Sequence, residues 1–310
     1  MGLPGHDTYQ NAKIIGEKDR FKDFAQKNHL MVIPSRGFTV IGEALNYIEY
    51  AEYPIIIKPT DLSGGKGVTR VLEKQEAETA VRYAFDRSKA KHIVIEPFIS
   101  GTQHSITTFL VNEKVVAHGS FNEYSANSEF LVGASSCPAD VPDNAIGDLI
   151  NQIEIIASLL HLRDGLFHAQ FILDQKGIPE IIECMRRPLG NHALEELHNS
   201  TGIDWERWIA RCYCGMSFDG LTGNKSSEYT AEFYIQAPCN GKVSEVRISP
   251  ELDSYTVRCI NMGWSGMQIN NYAIDKLGFL FLRFPDRVTR DSVLRNIKNY
   301  IQVCMDEVIG

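Results

Sequence analysis

Two β-forming runs, Phe167–Asp174 and Ile178–Glu183, flank the dipeptide Lys176-Gly177, and this arrangement limits the possible folds more than any other stretch. A glycine at the second turn position adopts φ > 0 without strain, so the runs predict an antiparallel hairpin with a two-residue loop. In that register Gln175 faces Ile178, and Gln170 lies directly opposite Glu183 with Cβ atoms roughly 5 Å apart. Strand alternation puts His168 on the same face. Two oxygen donors at this separation suit one or two Mg²⁺ ions, which prefer carboxylate and carbonyl oxygen. A polar strand face in solvent is the alternative. The run Ile181-Ile182-Glu183-Cys184-Met185 places the acid in apolar surroundings, where a functional role is the better reading.

The rest of the chain alternates strand and helix patterns, which predicts an α/β or α+β protein. Helical spacing runs over 18–29, 74–87, 143–161, 193–214 and 289–308. Strand patterns occupy 54–58, 68–72, 92–96, 105–111, 115–121, 230–236, 242–249, 255–260 and 278–284. The Gly- and Ser-rich stretch Gly220–Ser227 is the best candidate boundary, separating a main domain, 1–220, from a smaller β-rich module, 228–310.

Charge and cysteine content narrow the function classes. Thirty-one Lys+Arg against 39 Asp+Glu give −8 with no basic cluster, which argues against nucleic acid as a partner. No apolar run approaches the roughly 18 residues of a membrane span, and the N-terminus lacks the apolar core of a signal peptide. The seven scattered cysteines form no disulfide framework, so a reducing cytoplasmic location is expected, with the close pair Cys212 and Cys214 as plain buried thiols. Cys212-Tyr-Cys214 lacks the companion ligands a zinc site requires.

A second candidate site lies earlier. Ser63-Gly64-Gly65-Lys66-Gly67 connects two strand patterns, and its glycines let backbone N–H groups approach phosphate oxygens. It is not a Walker A loop, because Gly67 replaces the Ser/Thr and a strand follows in place of a helix. Lys58 ends the preceding apolar strand, where a lysine is costly to bury unless an anion meets it. Arg186-Arg187 follows the metal-type carboxylate and offers planar cations for phosphoryl or carboxylate oxygens. His104, His118 and His192 are possible bases, although a lone histidine is more often structural.

Taken in order, Ile55-Ile-Ile-Lys58-Pro with Ser63-Gly-Gly-Lys-Gly-Val, Ile95-Glu96-Pro-Phe-Ile99, His168-Ala-Gln170-Phe and Ile181-Ile-Glu183 through Arg187 resemble the ATP-grasp superfamily over about residues 12–200. The resemblance implies an α+β fold in which two lobes, about 16–95 and 96–220, clamp ATP. It implies that Lys18 and Lys58 contact the phosphates and that Ser63, Gly64, Gly65, Lys66 and Gly67 cover them. Glu96 through Ile99 would be the adenine hinge, with backbone groups of Phe98 or Ile99 reading the purine edge. Gln103 stands at the ribose position. Gln170 and Glu183 would hold Mg²⁺ or Mn²⁺, and Arg187 would orient an acyl phosphate.

This chain departs from the common pattern in places. Gln170 replaces the usual Glu, as in the carbamoyl-phosphate synthetase large subunit. Met185 replaces a frequent Asn, as in the L-amino-acid ligase branch, whose tail the 228–310 module is similar to. Family members normally carry a Rossmann-like domain ahead of the segment resembling Gly2–Gly5. Here it would be cropped, lost, or split onto a partner chain, and a homodimer is an alternative assembly. The implied activity is an ATP-dependent carboxylate–amine ligase forming an amide through an acyl phosphate from small-molecule carboxylate and amine substrates, the former of amino-acid type. The alternatives are a carbamoyl-phosphate-synthetase-like phosphoryl-transfer enzyme and a non-catalytic ATP-binding subunit of a split enzyme.

Overall fold

The computed structural model describes residues 7–62, 64–125, 127–190, 192–218 and 228–306. In chain order the elements begin with α1 (Tyr9–Gly16), α2 (Lys18–Lys27), β1 (Arg36–Phe38), α3 (Ile41–Ile48), β2 (Ile55–Pro59), β3 (Thr69–Val71), α4 (Lys74–Arg87), β4 (Ile93–Pro97), β5 (Gly101–Val111) and β6 (Lys114–Ser125). Next come β7 (Val132–Cys137), α5 (Asp143–Leu159), β8 (Gly165–Asp174), β9 (Pro179–Met185), α6 (Ala193–Thr201), α7 (Trp205–Tyr213) and β10 (Tyr229–Ile235). The last are β11 (Gly241–Ile248), β12 (Thr256–Asn261), β13 (Gln268–Ile269), β14 (Gly278–Phe284), α8 (Arg287–Arg295), α9 (Ile297–Tyr300) and β15 (Ile301–Met305). The class is α+β.

Two compact units are interleaved along the chain. The first is drawn from Met1–His118, Val141–Pro188 and Arg207–Asp219, the second from Gly119–Asp140, Leu189–Glu206 and Gly220–Gly310. In the first, a four-stranded antiparallel sheet has the order β1-β4-β2-β3. The stripe Ala77, Ala80, Val81, Ala84, Phe85 on α4 recurs at helical spacing and packs with α3 over Ile55, Ile57, Ile93 and Ile95. A second layer in this unit pairs β5 with β8 and β8 with β9, all antiparallel, and buries Ile106, Ala169, Phe171 and Ile181 beneath α1, α2 and α5.

The second unit runs β12-β14-β10-β7 onto the end of β6, with a separate three-stranded sheet β13-β11-β15. Its core gathers Ala231, Ile235, Val243, Leu252, Leu280, Leu282, Val293 and Ile297.

Several sequence expectations change. The pattern at 193–214 is two helices, because Gly202 takes φ 69 and ends α6. The pattern at 289–308 is α8, α9 and then a strand, since Ile301, Val303 and Met305 alternate and β15 pairs with β11. Helical spacing and strand alternation both fit so short an apolar run, and the strand partner decides between them. Helices α1 and α3 and strands β1 and β7 lie where no element is expected, although in α3 Ile41, Ala44, Leu45 and Ile48 recur at helical spacing and pack into the core. All seven cysteines are free. Only Cys137 and Cys184 are buried; Cys212 is half-buried and Cys214 exposed at the end of α7, so the expectation of buried thiols fails for that pair. Among the described residues no helix is long and apolar enough to cross a membrane.

Candidate functional site

The reversal between β8 and β9 is one residue longer than expected. Asp174 Oδ1 accepts the N–H groups of Lys176 and Ile178 at 2.8 Å each, and Gly177 sits at φ 79. The loop is therefore Gln175-Lys176-Gly177, with Leu173 opposite Pro179 and Phe171 opposite Ile181. A bulge at Ile182 adds one residue to β9 and restores the register, so Gln170 does face Glu183. The expected pair forms through two offsetting irregularities. His168 is buried and bonded to Thr107 Oγ1 at 2.9 Å. Burial and the nearby Arg187 charge lower its pKa to about 3, so it is a neutral packing residue.

Lys18 enters from the first turn of α2. Its Nζ lies 3.3 Å from Glu183 Oε2 and donates to the Leu62 carbonyl at 2.9 Å. That contact places the start of the glycine loop beside the acid of β9. Within the loop Gly64, Gly65 and Gly67 have φ 63, 72 and 74, which explains the glycines by backbone conformation. A Cβ on Gly67 would also come within 2.9 Å of Pro59 Cγ. Lys66 is exposed, and Ser63 lies outside the described residues.

Lys58 is buried at the end of β2, and the anion that meets it is Glu96 of β4, with Oε2 2.7 Å from Nζ. The other oxygen, Glu96 Oε1, lies 3.6 Å from the Nζ of Lys22, which also donates to the carbonyls of Ile33 and Ile181 at 3.0 Å each. Burial pushes the Glu96 pKa up, but the ammoniums of Lys58 and Lys22 outweigh it and keep the carboxylate below its ordinary range. Burial lowers Lys22 to about 8 against the pull of Glu96. Beyond Glu96 the chain passes Phe98, whose N–H donates to the Pro54 carbonyl at 2.9 Å and whose ring lies under the Arg70 guanidinium at 4.8 Å. Ile99 is half-buried, and Gln103 on β5 is half-buried opposite Ile172.

The structure thus brings Gln170, Glu183 and Lys18 together, and Lys58 with Glu96. The two arginines part company. Arg186 binds Asp7 at 2.8 Å and the Leu166 carbonyl at 2.6 Å, which makes it a structural clamp. Arg187 is exposed and donates to Pro188 O at 3.1 Å. Of the histidines, His104 bonds Thr102 Oγ1 at 2.7 Å, and burial lowers the pKa of His118. His192 packs edge-on against Phe279 and Phe281. Sequence reading missed Lys22. Its signal was a lysine between Phe21 and Ala25 on the apolar face of a helix.

A carboxylate paired with an amide side chain across adjacent strands is a fit donor set for a hard divalent cation. The Lys18 ammonium beside Glu183 shows that the position favours positive charge.

Known proteins resemble this chain in sequence and in fold. A family profile described as phosphoribosylglycinamide synthetase, ATP-grasp (A) domain, matches residues 16–188. Among curated proteins, a phosphoribosylamine–glycine ligase of Listeria monocytogenes is 28% identical over 203 residues, 60% of this chain and 48% of the ligase. The carbamoyl phosphate synthase large chain of Ralstonia nicotianae is 25% identical over 207 residues, 66% of this chain and 19% of that one. The chain therefore spans about half the length of the ligase relative and less of the synthase. Among solved structures, the L-amino acid ligase of Bacillus licheniformis shares the fold, with TM-score 0.77 and 20% identity over 98% of this chain and 75% of that one. With its profile covering more than half of the residues, this chain belongs to the ATP-grasp family.

Proposed function

We propose that the chain binds Mg-ATP and serves an ATP-dependent carboxylate–amine ligase reaction, with an amino-acid-type carboxylate as substrate. The observation that carries this reading is Glu183 opposite Gln170 with Lys18 at 3.3 Å, in the same unit as the buried Lys58–Glu96 pair. In this reading a carboxylate oxygen attacks the γ-phosphorus, the bond to the β-phosphate oxygen breaks, and ADP leaves. An amine nitrogen then bonds the acyl carbon, phosphate departs, and the nitrogen loses a proton. Glu183 and Gln170 would hold Mg²⁺, which when bound would supply charge neutralisation for the phosphoryl group in transfer. Lys18 and Lys58 hold phosphate oxygens as point charges, Gly64 to Gly67 present backbone N–H groups to them, and Arg187 steadies the oxyanion on the acyl carbon. The segment from Glu96 to Ile99 is the proposed adenine hinge, with Ile99 offering its backbone, and Gln103 takes the ribose.

The test is ADP release by the 310-residue chain with Mg-ATP and pooled amino acids, with mass spectrometry for an amide. Glu183→Ala should abolish release while circular dichroism stays unchanged; retained turnover would remove Glu183 from the mechanism. A second reading, an ATP-binding part of a longer or split enzyme, is favoured by the 48% coverage of the ligase relative. Under it ATP binds, and turnover needs a further chain.

A further inference from the structure

The Lys22–Glu96–Lys58 triad holds two ammoniums and one carboxylate, all nearly excluded from water at 1%, 4% and 6% exposure. Its formal charge is +1 with Lys22 protonated, and buried net charge is expensive unless a further anion arrives. Two other titratable groups act on Lys22: the Cys184 thiol, which burial keeps protonated and which supplies no counter-charge, and the half-buried Glu180 of β9, whose own pKa burial raises. Glu96 Oε2 accepts from Lys58 Nζ at 2.7 Å, while Oε1, buried and without a hydrogen-bond partner among the described residues, lies 3.6 Å from the Lys22 ammonium. Lys22 cannot itself leave, because the Ile33 and Ile181 carbonyls anchor its Nζ at 3.0 Å each. Among the described residues the hydrogen-bond partner of Lys58 Nζ is Glu96 Oε2 alone, and Lys58 stands two residues from the start of the loop that leads to Gly64.

We propose that Lys22 is a positioning residue that acts through Glu96: it neutralises the carboxylate so that Lys58 can turn its ammonium toward a nucleotide phosphate. This rests on the reading of Lys58 as a phosphate ligand. Without Lys22, Glu96 would hold Lys58 as its sole counter-ion, and moving Lys58 to a phosphate would strand a buried carboxylate. With Lys22 in place, the surplus positive charge is what the incoming phosphate satisfies. The same lysine ties α2, which carries Lys18, to the Ile181 backbone of β9, two residues before Glu183.

The experiment is calorimetric binding of Mg-ATP and of adenosine to the full chain and to Lys22→Gln, Lys22→Met, Lys58→Met and the Lys22→Gln/Lys58→Met double variant. Lys22→Gln keeps a donor for the two carbonyls and removes the charge. Expected is a loss of Mg-ATP affinity on the order of tenfold or more for Lys22→Gln, the size of one charge-assisted hydrogen bond, with adenosine affinity unchanged. In the Lys58→Met background the further loss should be under about threefold, since Lys22 acts through Lys58. Equal weakening of ATP and adenosine, or additive losses in the double variant, would show a merely structural lysine and overturn the proposal. Unchanged ATP affinity in Lys22→Gln overturns it as well, as would failure of both Lys22 variants to fold. If Lys58→Met alone binds Mg-ATP as tightly as the parent, the phosphate role of Lys58 is what has failed.

Discussion

Replacing Glu232 by glutamine should stabilise the second unit by an amount that grows with pH. Glu232 on β10 faces Ser135 on β7, and the Ser135 hydroxyl donates to Glu196 of α6 at 2.6 Å. The two glutamates are 0% and 2% exposed, and neither oxygen of Glu232 has a hydrogen-bond partner among the described residues. Burial, with the charge of Glu196 added and Lys276 opposing, raises Glu232 from 4.5 to about 9; burial raises Glu196 to about 8. Between pH 4.5 and 8 the folded protein keeps the Glu232 proton and the unfolded chain releases it. Stability is therefore present at low pH and lost as pH rises, at about 1.4 kcal/mol per unit. A glutamine has no proton to lose. From pH 5.5 to 7.5 the stability of Glu232→Gln relative to the parent should rise by about 3 kcal/mol, two pH units at that slope. The cost of repacking an amide is common to both pH values and drops out of the difference. Urea unfolding followed by circular dichroism and tryptophan fluorescence at the two pH values measures it. A stability difference that does not change with pH would show that Glu232 is ionised in the folded protein and refute the argument.

Other outcomes follow from the same kind of accounting. Arg290 is fully buried and binds the Pro138 carbonyl and Asp140 at 2.7 Å and Asp291 at 2.8 Å. Arg290→Met should cost about 3 kcal/mol in chemical denaturation, the penalty for stranding partners of a buried ion pair. Gly101→Ala puts a Cβ 2.2 Å from the Leu173 carbonyl oxygen, so the melting temperature should fall by the equivalent of about 1–3 kcal/mol; an unchanged melt would mean that the end of β5 yields easily. His168, neutral with a pKa of about 3, should show no imidazole titration by NMR from pH 8 down to pH 5.

Much of the candidate site was legible because it rests on local chemistry. Gly64, Gly65 and Gly67 occupy backbone conformations that favour glycine, so the loop announces itself. Lys58 was suspect as a lysine ending an apolar strand, and the structure supplies the anion that reasoning asked for, although it is Glu96 of the same protein. The Gln170–Glu183 pairing came out as expected for an incomplete reason: a three-residue loop and a bulge at Ile182 each shift the register by one, in opposite directions. Arg186 and Arg187 were indistinguishable as neighbours in sequence. Only folding sends one to Asp7 and leaves the other exposed.

Helix spacing, glycine positions and strand alternation are short-range properties, and they determined most elements, the α+β class and the charged residues beside the glycine loop. What a side chain does once buried depends on groups far away in the chain, and that was decided by tertiary structure. Lys22 becomes a counter-ion because residues 33, 96 and 181 converge on it. The run at 301–305 is a strand because β11 is there to pair with it. Glu196 and Glu232 share a dry environment that raises the pKa of both although 36 residues separate them in sequence, because the pairing of β7 with β10 and the packing of α6 exclude water from both.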